Sequence, residues 1–272
     1  MRALLAVLVV LAYVLALGSL LVAPAPPWLL LGLALAILIV VNLGVGFLNL
    51  EVFVDVVSHG PSDRRKVALT FDDGPHPVHT REVLRALAAE GTKATFFLVG
   101  HKVEKHPEVV AEIVKAGHEV GLHSYSHDYY LNLRHEPNIA RDIEHNHTVI
   151  EKLVGERPMM FRPPVGLTSP RIRVAVKKLG LRVVGWSARA FDGAGRPDPD
   201  VVLARIVPGL EPGAIVLLHD AAERTDERPT SLDALPGLLR AMKERNLQGV
   251  TVSDLVGPTE LGAVPLPGRA PS

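Results

Sequence analysis

The sequence predicts an α/β domain built on a parallel sheet and preceded by two helices that cross a membrane as a hairpin. Three observations support this fold class. Strand-like and helix-like segments alternate after residue 66, glycine or asparagine follows most of the helix-like segments, and residues 3–50 contain no charged side chain. Alternation of this kind builds a parallel sheet that is either doubly wound or closed into a (β/α) barrel.

The uncharged N-terminal stretch is divided by Pro24, Pro26 and Pro27 into two apolar runs, at about residues 4–22 and 28–48. At 1.5 Å per helical residue each run reaches about 30 Å, the thickness of the hydrocarbon core of a bilayer. A secretory signal peptide is the alternative, but the first run is longer than the apolar region of a signal and a second run follows it. We therefore expect two transmembrane helices within residues 1–50, with the lipid bilayer as a partner.

The charges near this hairpin bear on the side of the membrane that the following domain occupies. A hairpin keeps the N-terminus and the domain on one side, and its turn carries no Lys or Arg, whereas Arg2 and the basic residues 64–66 flank it. By the positive-inside rule this pattern favours a cytoplasmic domain. Because so few charges are involved, we leave the side open.

Seven strand-like runs and six helix-like segments follow a polar stretch at residues 51–65, which we expect to be a linker. The strand-like runs are 67–71, 94–99, 119–123, 159–162, 181–186, 214–219 and 249–252, and the helix-like segments are 80–90, 107–116, 139–154, 169–178, 200–206 and 231–245. Gly91, Gly117, Gly155, Gly180 and Asn246 fall where left-handed C-terminal caps are expected. Residues 66–257 should thus form one domain, and residues 258–272 a Pro/Gly-rich tail.

Composition excludes several function classes. Lys plus Arg and Asp plus Glu number 29 each, so no net field attracts nucleic acid, and we expect no nucleic-acid partner. The chain has no cysteine, which excludes disulfides, thiolate nucleophiles and cysteine-ligated zinc. No protein partner is evident from the sequence.

Two adjacent carboxylates, Asp72 and Asp73, end the first strand-like run, and Gly74 and Pro75 follow them. Neighbouring side chains on a strand point to opposite faces, so these two act together only if the backbone turns there. Adjacent carboxylates also repel each other unless cations neutralise them. The pair therefore predicts a metal for one Asp and a cationic side chain for the other, and Arg162 is the candidate as a bidentate partner of Asp72.

His123 and His127 lie four residues apart and would share a face if their segment turns helically. Two histidines and one carboxylate with an open fourth position form a catalytic zinc site. Taken alone, a histidine pair at this spacing is more often two ordinary surface or core residues, but the nearby Asp72 and Asp73 favour a metal.

His219 ends the sixth run and Asp192 follows the fifth, so the ring is a candidate general acid and the carboxylate its support. The loop from Arg162 to Gly166 is stiffened by two prolines, and its N–H groups could face an oxyanion. Every candidate lies at the carboxyl end of a strand-like run, where parallel α/β enzymes build their sites.

Together these residues resemble the polysaccharide deacetylases of carbohydrate esterase family 4, the nodulation-type homology domain. All five motifs of that family occur in order between about residues 66 and 256: Thr70-Phe71-Asp72-Asp73-Gly74-Pro75, His123-Ser124-Tyr125-Ser126-His127, Arg162-Pro163-Pro164-Val165-Gly166, Trp186-Ser187-Ala188-Arg189-Ala190-Phe191-Asp192 and Leu217-Leu218-His219. The resemblance implies an irregular (β/α) barrel of the polysaccharide deacetylase type.

The resemblance also implies a ligand set and catalytic roles. One divalent metal, usually Zn²⁺, would be held by Asp73, His123 and His127. Asp72 would be the base that deprotonates the attacking water, with Arg162 orienting it, and His219, supported by Asp192, would protonate the leaving amine. The substrate's acyl group would be bound by the backbone N–H near Val165 and by the side chains of Leu217 and Trp186.

Two positions depart from the family pattern. Val165 stands where the third motif usually has an aromatic residue, and Arg189 stands where some relatives carry an acid. We expect these two differences to affect which substrate is bound more than the reaction that is catalysed.

We therefore expect a metal-dependent hydrolase that removes an N-acetyl or other N-acyl group from an amino sugar in a polysaccharide or oligosaccharide. One alternative is a deacylase or deformylase of a lipid-linked amino sugar at the membrane. Another is a catalytically inactive carbohydrate-binding membrane protein, and a third is an amidase acting on a non-sugar substrate, since a fold and site specify a reaction better than its substrate. In the family that the chain resembles the catalytic domain is usually extracytoplasmic, whereas the charges near the hairpin favour a cytoplasmic domain.

Overall fold

The computed structural model describes residues 1–21, 24–192, 197–223 and 225–257. The helices in these ranges are α1 Arg2–Leu21, α2 Pro27–Gly46, α3 His79–Ala89, α4 Gly100–Lys105, α5 Pro107–Lys115, α6 Glu136–Val154, α7 Pro170–Lys178, α8 Pro199–Ile206, α9 Thr230–Glu244 and α10 Val252–Val256. The strands are β1 Val56–Val57, β2 Lys66–Asp72, β3 Ala94–Leu98, β4 Glu119–Leu122, β5 Met160–Phe161, β6 Arg182–Val184, β7 Ala188–Arg189, β8 Ile215–His219 and β9 Gln248–Gly249.

The strands form one curled parallel sheet in the order β1-β6-β5-β4-β3-β2-β8-β7, with β9 added beside β2. From β2 to β6, each strand pairs with the one before it in the chain, and the sheet grows in one direction. The strand order therefore does not reverse as it would in a doubly wound sheet. The predicted parallel-strand fold with two apolar N-terminal helices is therefore confirmed, in its barrel-like form.

Both faces of the sheet are buried, as expected where helices cover a parallel sheet. On β2, Leu69 and Phe71 belong to the large cluster that packs against the helices. Ala68, between Val67 and Leu69, belongs to a second cluster with Phe97, which also includes residues of α10. Alternation of side chains along the strand explains the division.

Several predicted boundaries need correction. Residues 51–65 do not form a simple linker, because β1 within them pairs with β6, and Val52, Phe53 and Val54 are buried. The strand predicted at 249–252 ends at Gly249, and Val252 begins α10. Helix α4 and strands β1 and β7 were not predicted, because two to six residues give too little periodicity to detect.

The glycine and asparagine positions agree with the prediction. Five residues expected to end helices have positive φ angles between 54° and 77°: Gly91, Gly117, Gly155, Gly180 and Asn246. The predicted Pro/Gly-rich tail at 258–272 and the end of the first predicted span at Val22 lie outside the described residues.

Helices α1 and α2 are each 20 residues long and apolar enough to cross a bilayer. No residue of α1 is buried, and 17% of the apolar window of α2 is buried. Arg2, at the start of α1, lies 2.6 Å from Asp55, which follows α2 in the chain. The start of α1 and the end of α2 therefore lie at the same end of the helix pair, next to the domain.

A tight approach between neighbouring strands gives a test of the packing. An added Cβ at Gly121 on β4 would come within 2.6 Å of the Phe97 ring, whose other neighbour is the Arg162 guanidinium, 4.1 Å from its centroid. We expect Gly121→Ala to lower the free energy of unfolding by about 1–3 kcal/mol, because the ring has to move. Thermal unfolding followed by circular dichroism measures this change. Gly32→Ala is the control, since an added Cβ there meets no atom within 4 Å; equal melting temperatures for the two variants would contradict the packing.

Candidate active site

One cavity, of about 460 Å³, opens at the carboxyl edge of the sheet. Nine of the ten site residues predicted from the sequence line it: Asp72, Asp73, His123, His127, Val165, Trp186, Asp192, Leu217 and His219. The tenth, Arg162, has no exposed surface and lies behind Asp72. The structure thus brings all ten predicted residues to one place.

The backbone turns at Asp73, as the two adjacent carboxylates require if they are to act together. Asp72 is the last residue of β2, in register with His219 on β8, whereas Asp73 has a φ of 72°. This left-handed conformation is unfavourable for a residue with a Cβ and is found where the surrounding structure enforces it. It brings the Asp73 carboxylate to the same cavity as Asp72.

The two histidines converge without a helix. Their segment is an irregular turn with positive φ at Ser124 and His127, and the two imidazole centroids lie 5.0 Å apart. The turn is held by Asp142 on α6, whose carboxylate accepts from the N–H of Tyr125 and of Ser126. The two histidines therefore lie close together as expected, but an irregular turn rather than a helical turn brings them there.

Each imidazole is oriented by its Nδ1. His123 Nδ1 lies 2.8 Å from the Arg162 carbonyl, and His127 Nδ1 lies 2.9 Å from Glu223 Oε1. A carbonyl or carboxylate oxygen only accepts, so Nδ1 carries the hydrogen in both rings. The Nε2 lone pairs are left to face Asp73 Oδ1, at 3.4 Å for His123 and 3.1 Å for His127.

This donor set fits a divalent metal. Among the described residues, Asp73 Oδ1 is buried and has no hydrogen-bond donor, and the ligand atoms of Asp73, His123 and His127 lie within 4.8 Å of one another. Three lone pairs pointing at one another repel unless a cation lies between them. Ligands at about 2.0–2.1 Å from a tetrahedral zinc are separated by roughly 3.3 Å, close to the distances found here.

The charges around Asp73 favour its ionised form. Burial alone would raise the pKa of Asp73, but hydrogen bonds from the His123 and His127 rings in their protonated form, and then the charge of His219, hold its pKa well below the usual value. The carboxylate is therefore ionised at neutral pH, which is the state that binds a metal.

Asp72 is held by the buried Arg162, but through one guanidinium nitrogen rather than two. Nη1 donates to Asp72 Oδ1 at 2.7 Å and to Thr70 Oγ1 at 2.8 Å. Nε and Nη2 donate to the carbonyls of Val184 and Gly185. The bidentate pairing predicted from the sequence is wrong, because the carbonyls at the end of β6 occupy the other donors. One carboxylate oxygen of Asp72 remains available to the cavity.

His219 is paired with Asp192 at 3.1 Å between Nδ1 and Oδ2, which leaves Nε2 on the cavity side. Burial alone would lower the pKa of His219, but the Asp192 carboxylate, with smaller contributions from Asp73 and Asp72, raises it to about 10. The Ser231 hydroxyl also donates to Asp192 Oδ2, and it accepts from the backbone N–H of His219.

The remaining predicted residues form the wall of the cavity. Trp186 and Leu217 are each 8% exposed, whereas Val165 is 52% exposed at the rim. Gly166, with φ 71°, brings the loop against Trp186, since an added Cβ would lie 2.5 Å from the indole. These residues form an apolar part of the cavity wall.

Sequence reasoning missed three supporting residues. Glu223 holds His127 and accepts from the Tyr129 hydroxyl, and Ser231 holds Asp192. Lys102 donates to the carbonyl of Asp73 at 2.8 Å and thus supports the strained turn. No motif or spacing marks these residues, because they reach the site from a loop and from helices far away in the chain.

Comparisons with known proteins agree with the motifs. A family model described as polysaccharide deacetylase matches residues 59–184. A peptidoglycan-N-acetylglucosamine deacetylase of Bacillus cereus is 35% identical over 198 residues, covering 72% of this chain and 90% of that protein.

Solved structures show the same fold. A peptidoglycan N-acetylglucosamine deacetylase matches with a TM-score of 0.67 and 30% identity over 73% of this chain and 91% of that chain. An acetyl xylan esterase of Clostridium thermocellum, in complex with a cobalt ion, matches at 0.64 and 34%, over 73% and 92%. A family 4 pseudoenzyme of Bacillus anthracis matches at 0.66 and 26%, over 74% and 68%. On these similarities the chain belongs to the polysaccharide deacetylases of carbohydrate esterase family 4.

Proposed function

We propose that this protein is a divalent-metal-dependent hydrolase that removes an N-acetyl group from an amino sugar. The observation that carries the proposal is the convergence, around one cavity, of a metal-ligand set, a carboxylate held by a buried Arg and an imidazole held by a buried Asp. Zn²⁺ is the metal we favour, because two histidines and one carboxylate leave a tetrahedral position open for the reaction.

A bound divalent metal would supply Lewis acidity, lowering the pKa of water and polarising the amide carbonyl. Asp73, His123 and His127 would hold it. Asp72 takes the proton from the attacking water with its free carboxylate oxygen, while Arg162 holds the other oxygen at 2.7 Å. The buried Arg162 thereby fixes the direction in which the Asp72 carboxylate faces the cavity.

His219 gives its proton to the nitrogen as the C–N bond breaks. Water adds OH to the acyl carbon, the amine leaves with the proton from His219, and the products are acetate and a free amino sugar. Asp192 holds Nδ1 at 3.1 Å and so keeps the ring in its protonated, correctly oriented form. Trp186 and Leu217 enclose the acyl methyl, and the backbone N–H at Val165 faces the developing oxyanion.

The helices α1 and α2 anchor the domain in a bilayer in this proposal. Exposing two apolar 20-residue helices to water would be very unfavourable, since each buried apolar side chain contributes about 1.5–3 kcal/mol. The two helices pack against each other, and the start of α1 and the end of α2 lie beside the domain. This arrangement suits a two-pass hairpin better than a cleaved signal peptide.

The alternative is a catalytically inactive protein on this fold, and the Bacillus anthracis pseudoenzyme shows that such proteins exist. This chain keeps Asp72, Asp73, His123, His127 and His219, and each has the neighbours its role requires. The complete set favours activity.

Loss of a ligand should abolish metal binding and turnover together. We expect Asp73→Ala and His127→Ala to lose stoichiometric metal, measured by inductively coupled plasma mass spectrometry on the purified full-length protein, and acetate release from an N-acetylglucosamine oligomer. His135→Ala is the control, since His135 is exposed and does not line the cavity. Full metal occupancy in either ligand variant would disprove the ligand set.

Asp72→Asn should separate metal binding from catalysis. We expect stoichiometric metal and a turnover reduced about 10²- to 10⁴-fold, because the acceptor for the water proton is lost. The variant leaves the buried Arg162 without its anion, which costs about 3–5 kcal/mol, so the melting temperature has to be recorded alongside. Asp63→Asn, on an exposed loop, is the control. Near-normal turnover in Asp72→Asn would exclude Asp72 as the base.

Asp192→Asn should shift the pH profile. A general acid works only while protonated, so activity falls as pH rises through the pKa of His219, which Asp192 raises to about 10. Removing that carboxylate lowers the pKa, and we expect the alkaline limb of the kcat profile to move to lower pH. A bound metal cation would lower the pKa of His219 in the unchanged protein and in the variant alike. The test is therefore the difference between their two alkaline limbs. Asp233→Asn, on the exposed side of α9, should not move the limb; an unmoved limb in Asp192→Asn would contradict the assignment.

A further inference from the structure

The end of α2 is fixed to the active-site edge of the domain. The N–H and Oγ1 of Thr168 donate to the carbonyls of Val45 and Gly44, at 3.1 and 2.8 Å. Gly44 also lets Val52 pack against the same turn of α2, because an added Cβ would lie 2.5 Å from the Val52 side chain. The loop after β5 is therefore bonded directly to the last turn of α2.

A second bond ties the same region to the wall of the cavity. Asn49, three residues beyond α2, donates from Nδ2 to the carbonyl of Trp186 at 2.6 Å. Trp186 lines the cavity, as do Val165 and Gly166 on the loop that carries Thr168. The helix end and the cavity wall are thus parts of one packed unit.

These contacts place the cavity close to a bilayer if α2 spans it. The 20 residues of α2 reach about 30 Å, so its last turn marks the edge of the hydrocarbon core. Val165 is three residues from Thr168, which limits their separation to roughly 10 Å. The headgroup layer on each side is about 5–8 Å deep. The rim of the cavity therefore lies at the depth of, or just above, the lipid headgroups.

Arg189 provides a cation at this rim. Its guanidinium lies 3.9 Å from the centroid of the Phe191 ring and 5.4 Å from that of Trp186. Arg189 lines the cavity, yet its guanidinium forms no ion pair or hydrogen bond with any other residue that the structure describes. Asp72 and Asp192, two of the cavity's carboxylates, are paired with Arg162 and His219 instead. A planar cation with unused donors, stacked on aromatic rings, is suited to a phosphate.

We infer that the substrate is the N-acylated amino-sugar headgroup of a membrane lipid, joined to the lipid through a phosphate that Arg189 binds. In a 2-acylamino sugar the carbon that carries such a phosphate is next to the carbon that carries the nitrogen, so one cavity can hold both groups. Phe191 and Val165, each about half exposed at the rim, then face lipid rather than water. This inference rests on the proposed function and specifies its substrate class.

The first test compares two substrates with the metal-loaded full-length protein in vesicles. One is N-acetylglucosamine linked by a diphosphate to an isoprenoid lipid in the bilayer, and the other is a soluble N-acetylglucosamine tetramer. We expect acetate release with a kcat/KM at least about tenfold higher for the lipid-linked sugar, since a charge-assisted hydrogen bond contributes roughly that factor. Equal or greater activity on the tetramer would overturn the inference and leave the proposed function standing. No acetate from either substrate would overturn both.

The second test concerns the phosphate. Arg189→Ala should raise KM for the lipid-linked sugar roughly 10–100-fold, and for the neutral tetramer by a much smaller factor, so the ratio between the substrates falls. Arg240→Ala, an exposed position on α9, should leave the ratio unchanged. A loss that is the same for both substrates would mean that Arg189 only supports the cavity wall, and would overturn its assignment to a phosphate.

The third test needs no turnover and uses the absence of cysteine in the chain. A fluorophore on Val165→Cys should be quenched by lipids carrying a quencher at headgroup depth. One on Lys243→Cys should not be, because Lys243 lies near the end of α9, which leads to β9 beside the start of β2, at the opposite edge of the sheet. Equal quenching at the two positions would overturn the placement of the cavity at the bilayer, even if deacetylation is observed.

Discussion

The site depends on one buried charge. Arg162 has no exposed surface, and removing such a cation from water costs several kcal/mol unless every donor finds an acceptor. Its guanidinium donates to Asp72, Thr70 and two carbonyls at the end of β6, and it packs against the Phe97 ring. Its own carbonyl accepts from His123 Nδ1 at 2.8 Å. One residue thus fixes both the proposed base and the orientation of a proposed metal ligand, so a displacement of β5 would disturb both.

Backbone strain is concentrated at the same edge of the sheet. Asp73, Ser124, His127, Val165 and Phe191 all have positive φ although none is glycine. Conformations of this kind cost about 1–3 kcal/mol each and persist only where surrounding contacts enforce them. Here those contacts come from Lys102 beneath Asp73 and Asp142 beneath the histidine turn. The stability of the sheet and helices offsets the strain, and the result is a set of side chains directed at one point.

Family membership specifies the fold and the class of reaction more closely than the substrate. Relatives of similar fold include peptidoglycan deacetylases, an acetyl xylan esterase and a pseudoenzyme. Two features of this chain bear on the substrate: helix α2 is bonded to the active-site edge, and the Arg189 side chain has no ion-pair or hydrogen-bond partner among the described residues. Both features concern where the cavity lies and what charge it accepts, rather than how the amide is cleaved.

The sequence by itself determined the chain order of seven strands and six helices of the domain, the helix ends at glycine and asparagine, and the family, because these depend on local conformational preference and on short contiguous motifs. It also identified ten residues that the structure brings to the cavity or directly behind it, since residues following parallel strands share one edge. Only the tertiary structure decided that Asp73 turns back to join Asp72, that Arg162 uses one nitrogen for Asp72, and that residues 56–57 form a strand. Glu223, Ser231 and the contact of Thr168 with α2 likewise appear only there. Each of these depends on groups far apart in the chain competing for the same donors, acceptors and space, and a one-dimensional pattern does not record that competition.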